Sequence, residues 1–362
     1  MIIRGVYLQN FRNYENLKLE LDDGINILYG DNAQGKTNVL EAICVAATAK
    51  SHRSSRDNEM ISFGKSESHI KILEERENIA CRIDVHLKKN NPKGIAIDGI
   101  ALKRASELYG TLKTVIFSPE DLNIVKSSPS VRRRFIDLEI CQTDKIYVHD
   151  LASYTRVLNQ KNALLKEKAG GRETDTLLDV YDGQLSQYGE RIIRRRERFL
   201  NETAEIVKRI HEGIAEDEKE LTVVYCPSSK KGELEKNLRE NREREKILKA
   251  TLTGPHRDDF VFTIDARDIK KFGSQGQQRT AALSLKLAEI EIIKRETKET
   301  PVLLLDDVLS ELDSKRQRQL IEQISTQQTI ITCTGLDEFV ENRLKIDRIY
   351  KVEKGKIYPH QK

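Results

Sequence analysis

The sequence has no long hydrophobic run, which argues against a membrane-spanning chain. Its uninterrupted apolar stretches are short, as at 43–47, whereas a transmembrane helix needs about 20 consecutive apolar residues. Residues 1–8 alternate like a first strand and lack the apolar core of a signal peptide, so nothing marks the chain for export. We therefore expect a soluble, cytoplasmic protein.

The sequence also lacks a large excess of positive or negative charge. The 62 Lys and Arg residues against 58 Asp and Glu residues leave a net charge of +4, so a nucleic-acid site would have to be a local basic patch. The five cysteines are odd in number and lack the spacing of metal ligands, and we expect reduced, mostly buried thiols. No internal repeat or low-complexity tract is present. With 38% hydrophobic residues, the 362-residue chain can form one large or two medium domains.

The pattern of apolar residues predicts an α/β protein interrupted by a helical insertion. Strand-like runs that would complete an N-terminal sheet occur at 1–6, 17–21, 25–29, 70–73, 81–87, 95–97 and 114–117. From about residue 129 to 249 the periodicity is helical, with one strand-like run at 221–225. Apolar residues from Leu185 to Ile214 form one stripe of a long helix there. We favour ordinary packing over a partner groove for this stripe, which is too short for a long coiled coil.

The strand pattern returns in the C-terminal part. Strands are predicted at 260–264, 302–305 and 329–333, with helices at 275–294 and 314–324. The run at 302–305 is apolar throughout, as in a strand covered by helices on both faces, so we expect parallel strands at the centre of the sheet. The prediction is a head in two sequence halves, 1–125 and 250–362, around a mainly helical insert, 126–249.

A phosphate-binding motif lies between the strand at 25–29 and the helix at 37–48. Its residues are Gly30, Asp31, Asn32, Ala33, Gln34, Gly35, Lys36 and Thr37. In such a P-loop the backbone N–H groups surround phosphate oxygens, Lys36 reaches the β- and γ-phosphates, and the Thr37 hydroxyl binds Mg²⁺. A structural glycine-rich turn is the alternative. The flanking strand and helix favour ATP and Mg²⁺ binding.

A second motif follows the apolar strand at 302–305. Asp306 can hold the Mg²⁺ shell, and Asp307 can orient or deprotonate the attacking water, so we predict Asp307 and Lys36 as the catalytic residues. Paired aspartates after a strand can instead cap a helix. The P-loop elsewhere in the chain favours the metal-binding role. Lys36 and Asp306 are 270 residues apart, which is the most discriminating feature of the sequence.

Residues 272–279, upstream of Asp306, resemble the signature loop of the ABC ATPase superfamily. Ser274, Gly276 and Gln277 open a helix, and a helix N-terminus with small residues is suited to an anion. In that superfamily the loop serves the nucleotide of the opposite subunit. A Ser-Gly helix cap without a ligand is the alternative. Asp313 resembles the D-loop aspartate of the same superfamily and can equally be a helix N-cap.

The order of these motifs is similar to that of structural-maintenance-of-chromosomes (SMC) ATPases without their long coiled-coil arm. The whole chain resembles the RecF family of bacterial DNA replication and repair ATPases. The matching segments are 10–14, 30–37, 117–122, 128–137, 254–259, 274–279 and 305–307. The resemblance implies an ABC/SMC-type head, a homodimer formed on ATP binding and attachment to duplex, gapped or single-stranded DNA. It also implies cooperation with RecR and RecO in loading RecA, in recombinational repair, replication and SOS induction.

Two departures from the wider ABC pattern predict slow turnover. Asp307 stands where many relatives have the longer glutamate, which would position water less well. No histidine lies near 332–335, where transporters usually have one that senses the γ-phosphate, and Thr332 or Thr334 would substitute. We therefore expect a weak, DNA-stimulated ATPase that acts as a switch.

Basic clusters are the candidate DNA contacts. One is a loop after the P-loop helix, with Lys50, His52, Arg53 and Arg56, and another is the run Arg132, Arg133 and Arg134. Solvated or internally ion-paired arginines are the alternative, and Arg194, Arg195 and Arg196 are interpreted as a solvated face. Near the N-terminus, Arg12 and Asn13 are candidate contacts to the base or ribose of the nucleotide, although an edge-strand turn also explains them.

Two other functions fit parts of the pattern. A transporter nucleotide-binding subunit would have its P-loop and signature loop about 100 residues closer together and no insertion of this length. A metabolic P-loop kinase would place the paired aspartates before the helical insert and would need no signature loop. The motif order favours the DNA repair ATPase over both.

Overall fold

The computed structural model describes residues 1–54, 56–167, 172–215, 219–324, 326–336 and 345–360. The chain divides into two compact units, a head unit of residues 1–121 and 286–362 and an insert unit of residues 122–285. The strands of the described residues are β1 Ile2–Phe11, β2 Tyr14–Glu20, β3 Ile25–Tyr29, β4 Glu67–Arg76, β5 Ile79–Lys88, β6 Gly94–Ile97, β7 Ile100–Ala101, β8 Thr114–Phe117, β9 Leu221–Cys226, β10 Asp259–Ile264, β11 Arg267–Asp268, β12 Val302–Asp306, β13 Thr329–Cys333, β14 Ile346–Glu353 and β15 Lys356–Pro359. The α-helices are α1 Lys36–Thr48, α2 Leu122–Lys126, α3 Pro129–Thr143, α4 Lys145–Lys166, α5 Arg172–Ile214, α6 Leu234–Leu248, α7 Ile269–Phe272, α8 Gln275–Thr297 and α9 Ser314–Ile324.

The head unit contains two six-stranded sheets. One is antiparallel, in the order β2-β1-β4-β5-β6-β7, and the other has the order β15-β14-β3-β13-β12-β8. In the second sheet the five strands from β14 to β8 are parallel, as predicted for its centre, and β15 adds an antiparallel edge. Helix α1 contacts strands of both sheets, and its buried residues Val39, Leu40 and Ile43 belong to the core shared by them. The P-loop helix is therefore held on both sides by apolar packing.

The prediction of a single N-terminal sheet is wrong. Strands β3 and β8 belong to the parallel sheet, because β13 and β12 from the C-terminal half lie between them. Apolar pattern identifies strands but does not state their partners. The C-terminal hairpin of β14 and β15 was not predicted either, since charged residues such as Asp347, Arg348 and Lys351 interrupt its apolar pattern.

The insert unit combines helices α2 to α7 with a small antiparallel sheet, β11-β10-β9. Helix α5 has 43 residues, and its predicted apolar stripe is buried at Leu185, Ile192 and Ile206. Strand β10 pairs along its length with β9, and α7 contacts β10. Residues 250–285 thus lie in the insert unit, whereas the sequence placed them with the head. The prediction failed for these residues because β10 pairs with β9, a strand more than 30 residues earlier in the sequence.

A buried polar network joins the helices of the insert unit to residues 254–259. This segment is one of those that resemble the RecF family, and the sequence predicted no role for it. Arg196 is 1% exposed and donates to Asp258, at 3.0 Å, and to Asp137, at 2.8 Å. The Tyr225 hydroxyl also donates to Asp258. The interpretation of Arg196 as part of a solvated face is therefore wrong, although Arg194 on the same helix is exposed. The network satisfies the buried charges.

All five cysteines are free thiols, in line with the expected reduced state. Only Cys44 and Cys141 are buried, and Cys226 is exposed, so the prediction of mostly buried thiols is wrong. None of the helices in the described part of the chain is both long and apolar enough to cross a membrane.

Candidate nucleotide site

The P-loop begins at the end of β3 and closes on the first residue of α1. Gly35 has φ 115°, and a Cβ there would lie 2.5 Å from the Asn13 side-chain nitrogen, so only glycine fits. Lys36 is buried, and its ammonium donates to the carbonyl oxygens of Gly30 and Asp31, the second at 2.9 Å. The lysine charge thus lies inside the turn of the loop, where a phosphate chain would be bound.

Side chains from outside the loop fix its shape. Asn13 donates to the Gln34 carbonyl at 2.8 Å, and the Tyr14 hydroxyl donates to the Gly35 carbonyl at 3.2 Å. The Gln34 side-chain oxygen accepts from the Lys354 backbone N–H at 2.6 Å. Three residues at the tip of the loop, Asp31, Asn32 and Ala33, are exposed. The loop is therefore braced at its base, with its tip open to a ligand.

The paired aspartates meet the P-loop at the carboxyl edge of the parallel sheet. Strands β3 and β12 are separated only by β13, and all three run in the same direction. The Thr37 hydroxyl donates to Asp306 Oδ1 at 2.7 Å, across 269 positions of sequence. A hydroxyl and a carboxylate oxygen are ligands that Mg²⁺ accepts, so the donor set at this point fits that ion. The structure brings together the two residues that the sequence predicted as metal ligands.

Thr332, at the end of β13, links both aspartates. Its hydroxyl donates to Asp306 Oδ1 at 2.8 Å and accepts from the Asp307 backbone N–H at 3.1 Å. Asp307 has φ 54°, a left-handed conformation that is uncommon outside glycine. The sequence offered Thr332 or Thr334 as a substitute for a sensing histidine. The hydrogen bonds of Thr332 give that residue a definite place beside the predicted catalytic carboxylate.

Two acidic side chains at this edge have perturbed acidity. Burial raises the pKa of Asp307, the Lys36 charge opposes the shift, and the neighbouring Asp306 adds to it. In the turn after β8, Asp121 accepts from the Ser118 backbone N–H at 2.8 Å, and burial raises the pKa of Asp121 to about 6. The segment 117–122 is one of those that resemble the RecF family, but the sequence predicted no role for Asp121. A signal was present in the sequence, because the segment directly follows the strand predicted at 114–117.

The signature loop residues belong to the insert unit, at the start of α8. The Ser274 hydroxyl accepts from the Gln277 backbone N–H at 3.2 Å, and the Gln277 side chain accepts from the Ser274 N–H at 3.0 Å. This reciprocal pair is a capping box, so the helix-cap role that the sequence left open is present. Ser274 is also exposed, and Gly276 is partly exposed. The capping box occupies the N–H groups of Ser274 and Gln277, and the exposed Ser274 lies at the end of the helix where the dipole favours an anion.

The role predicted for Arg12 as a nucleotide contact disagrees with its contacts. Its guanidinium donates to both carboxylate oxygens of Glu41, at 2.8 and 2.6 Å, and to the Glu59 carbonyl oxygen. Burial acts to raise the pKa of Glu41, but the hydrogen bonds from Arg12 and Ser51 hold it below its usual value. Arg12 thus neutralises a buried carboxylate of α1, which is a structural role.

The two basic clusters differ in how many of their positively charged side chains are exposed to solvent. Lys50, Arg53 and Arg56 are exposed, and Arg53 donates to the Asn38 side chain at 3.3 Å. By contrast, Arg132 is 4% exposed and forms a bidentate pair with Asp259, so the prediction that it contacts DNA is wrong. Arg133 is partly buried and donates to the Asp258 carbonyl at 2.7 Å. Arg134 of the same run is exposed, so the second cluster presents one exposed arginine and the loop after α1 presents three exposed cations.

The sheet order, the P-loop and the aspartates at the carboxyl edge define a P-loop ATPase head of the ABC/SMC type. The family model described as RecF/RecN/SMC N terminal domain matches residues 2–358. A protein of Lachnoclostridium phytofermentans named DNA replication and repair protein RecF is 53% identical over 357 residues, which cover 99% of each chain. The chain belongs to the RecF family.

Solved structures agree in fold. The structure described as the recombination mediator protein RecF-ATP in the RecFOR pathway is 35% identical, covers 99% of this chain and 98% of its own, and has a TM-score of 0.92. The Smc head domain of Pyrococcus furiosus with an extended coiled coil is 16% identical, covers 99% of this chain and 96% of its own, and has a TM-score of 0.58. The second likeness is one of fold alone.

Proposed function

We propose that the protein is an ATP- and Mg²⁺-dependent DNA-binding ATPase of DNA replication and recombinational repair. The observation that carries this proposal is the 2.7 Å hydrogen bond between Thr37 and Asp306. It joins the phosphate-binding loop to the metal-binding aspartate, although their motifs lie at opposite ends of the chain. Membership of a family whose curated members are named for replication and repair supports the biological role.

Each residue of the head site has a part in this proposal. Residues 30–37 wrap the phosphates, with Asn13 holding the loop in place through Gln34. Lys36 contacts the β- and γ-phosphates, and Thr37 and Asp306 hold Mg²⁺, which would neutralise charge on the phosphates. Asp307 orients the attacking water and accepts its proton. Its short side chain limits turnover by positioning the water less well, and in this proposal the enzyme is a weak, DNA-stimulated switch and not a rapid motor.

ATP also acts as the link between two copies of the chain. In this part of the proposal, Ser274, Gly276 and Gln277 of one copy bind the γ-phosphate held by the P-loop of the other. The exposed Ser274 at the N-terminus of α8 supports it, since the positive end of the helix dipole favours an anion. Hydrolysis removes the bridging phosphate, and the dimer opens.

DNA lies against exposed cations in this proposal, with Lys50, Arg53 and Arg56 as phosphate contacts. The dimer clamps duplex, gapped or single-stranded junction DNA and, with RecR and RecO, promotes loading of RecA at gaps. In this proposal that loading supports DNA replication and SOS induction. The RecFOR pathway named for a 35% identical structure supports these partners.

Filter binding of labelled DNA across a salt series tests the proposal. Wild type in ATP and Mg²⁺ is expected to bind more tightly than in ADP, and Lys36→Ala to lose the ATP effect because the phosphates are no longer held. Lys103→Ala, which removes an exposed lysine of the same unit, serves as the control. Equal DNA binding with ATP, with ADP and without nucleotide would refute the ATP-dependent part.

The same series tests the DNA contacts. Replacing both Arg53 and Arg56 by Ala should weaken binding to all sequences and lower the salt slope by about 2 for each copy of the chain that binds the DNA. The matched control replaces the exposed arginines Arg198 and Arg239 of the insert unit, which removes the same charge. An unchanged slope in the first variant, or an equal loss in the control, rules out the loop after α1 as the phosphate contact.

A further inference from the structure

Two histidines and a glutamate meet on the outer face of the antiparallel sheet. His69 of β4 and His86 of β5 are direct cross-strand partners, and Glu67 lies two residues before His69, on the same face. The imidazole rings are stacked with centroids 4.1 Å apart, and Glu67 Oε2 lies 3.2 Å from His86 Nε2. One ligand atom from each of the three residues lies within 4.8 Å of the others.

The chemistry of this cluster is that of a metal-binding site more than of a structural pair. His69 is exposed and the side chains of Glu67 and His86 are about half exposed, so none of the three is part of the buried core. Two protonated imidazoles in contact would repel each other. Among the residues that the structure describes, no other group of three such side chains is as close.

We propose that Glu67, His69 and His86 form a binding site for a divalent first-row transition metal of the Zn²⁺ class. Imidazole nitrogens and a carboxylate oxygen are the ligands of such ions, whereas Mg²⁺ prefers oxygen ligands alone. With bonds of about 2.1 Å, tetrahedral ligand atoms lie about 3.4 Å apart, close to the 3.2 Å between Glu67 and His86. Binding turns the two rings out of their parallel stack, so that both nitrogens point at one ion.

The fourth position of the ion remains open to solvent. Both histidines line a groove of 650 Å³ on this face, together with residues of β1, β2 and β6. The ion therefore joins strands β4 and β5 without needing any residue of the P-loop or of the paired aspartates. This site is additional to the proposed nucleotide function, and either can fail without the other.

Competition for Zn²⁺ against a chromophoric chelator tests the site on the full chain, stripped of metal and free of nucleotide. Wild type should bind one equivalent more than His69→Ala or His86→Ala, with an affinity at least about tenfold above the residual affinity of those variants. His149→Ala removes an exposed histidine of the insert unit and should behave as wild type. Glu67→Gln keeps the size of the side chain but removes its charge, and should weaken binding.

A second measurement separates this site from thiols and from the P-loop. Co²⁺ added to the wild type should give the visible absorption of a tetrahedral nitrogen and oxygen site, without the charge-transfer band of a thiolate, and the band should vanish in both histidine variants. Nucleotide binding by the variants shows that they are folded. If folded His69→Ala and His86→Ala chains bind Zn²⁺ with wild-type stoichiometry and affinity, the proposed site does not exist.

Discussion

At the scale of single residues, Thr332 is the contact through which the two aspartates of the site are held in place. One hydroxyl binds the Asp306 carboxylate at 2.8 Å and the Asp307 backbone N–H at 3.1 Å. Asp307 is in a left-handed conformation that few non-glycine residues adopt. The position of the proposed catalytic residue, Asp307, thus depends on the neighbouring strand β13 as well as on β12.

Thr332→Val removes that hydroxyl while keeping the shape of the side chain. ATP hydrolysis is expected to fall by about 10- to 100-fold, because Asp307 is displaced from the attacking water, while nucleotide binding stays near the wild-type level. Single-turnover hydrolysis measures the first quantity and equilibrium binding the second. Thr334→Val is the matched control, since Thr334 is exposed. Unchanged hydrolysis in Thr332→Val would show that the threonine does not position Asp307.

Asp121 provides a test of stability against pH. Its folded-state pKa, about 6, lies above the ordinary value of 3.8, so the stability it contributes is present below about pH 4 and is lost as pH rises through 6. Asp121→Asn should therefore raise the free energy of unfolding by about 1–3 kcal/mol at pH 8, with no gain near pH 4. Urea denaturation at the two pH values measures this. Glu120→Gln, at an exposed neighbour, should show neither effect.

At the scale of elements, helix α5 is held to the rest of the insert unit by charge as well as by apolar packing. Arg196 lies on its buried side and binds Asp137 of α3 and Asp258, which precedes β10. Removing one partner of a buried ion pair leaves an uncompensated charge, which is more costly than the pair itself is stabilising.

Arg196→Ala is accordingly expected to lower the free energy of unfolding by about 3–5 kcal/mol. Arg194→Ala, two residues earlier on the exposed side of the same helix, should change it by less than about 0.5 kcal/mol. Chemical denaturation monitored by circular dichroism compares the two. Equal stabilities of both variants would contradict the network described for residues 254–259.

The sequence predicted most elements because their apolar periodicity is local. The P-loop, β12 and α8 were located from a few adjacent residues each. Pairing is not local, which is why β8 was assigned to the wrong sheet and residues 250–285 to the wrong unit. For the same reason the arginines within each of the two runs could not be told apart from sequence. Arg132 and Arg196 are in fact buried and paired with carboxylates that are distant in the sequence. The Thr37 and Asp306 pair was predictable, because the motifs themselves specify those roles.

At the scale of the whole molecule, the motifs of one proposed nucleotide site are divided between the two units. The P-loop and the paired aspartates lie in the head unit, and the signature loop lies in the insert unit. Helix α8 begins with the signature loop and has its C-terminal half in the head unit. The dimer proposed above pairs the signature loop of one copy with the P-loop of the other, with ATP as the bridge.

Sedimentation velocity with and without ATP and Mg²⁺ tests that central claim most directly. Wild type is expected to be monomeric without nucleotide and dimeric with ATP. Ser274→Arg is expected to bind ATP but remain monomeric, since the larger side chain blocks the N-terminus of α8. Ser66→Arg, at an exposed serine of the head unit, should dimerise as wild type does. A wild type that stays monomeric at high concentration with ATP, or a Ser274→Arg variant that dimerises fully, would contradict the account.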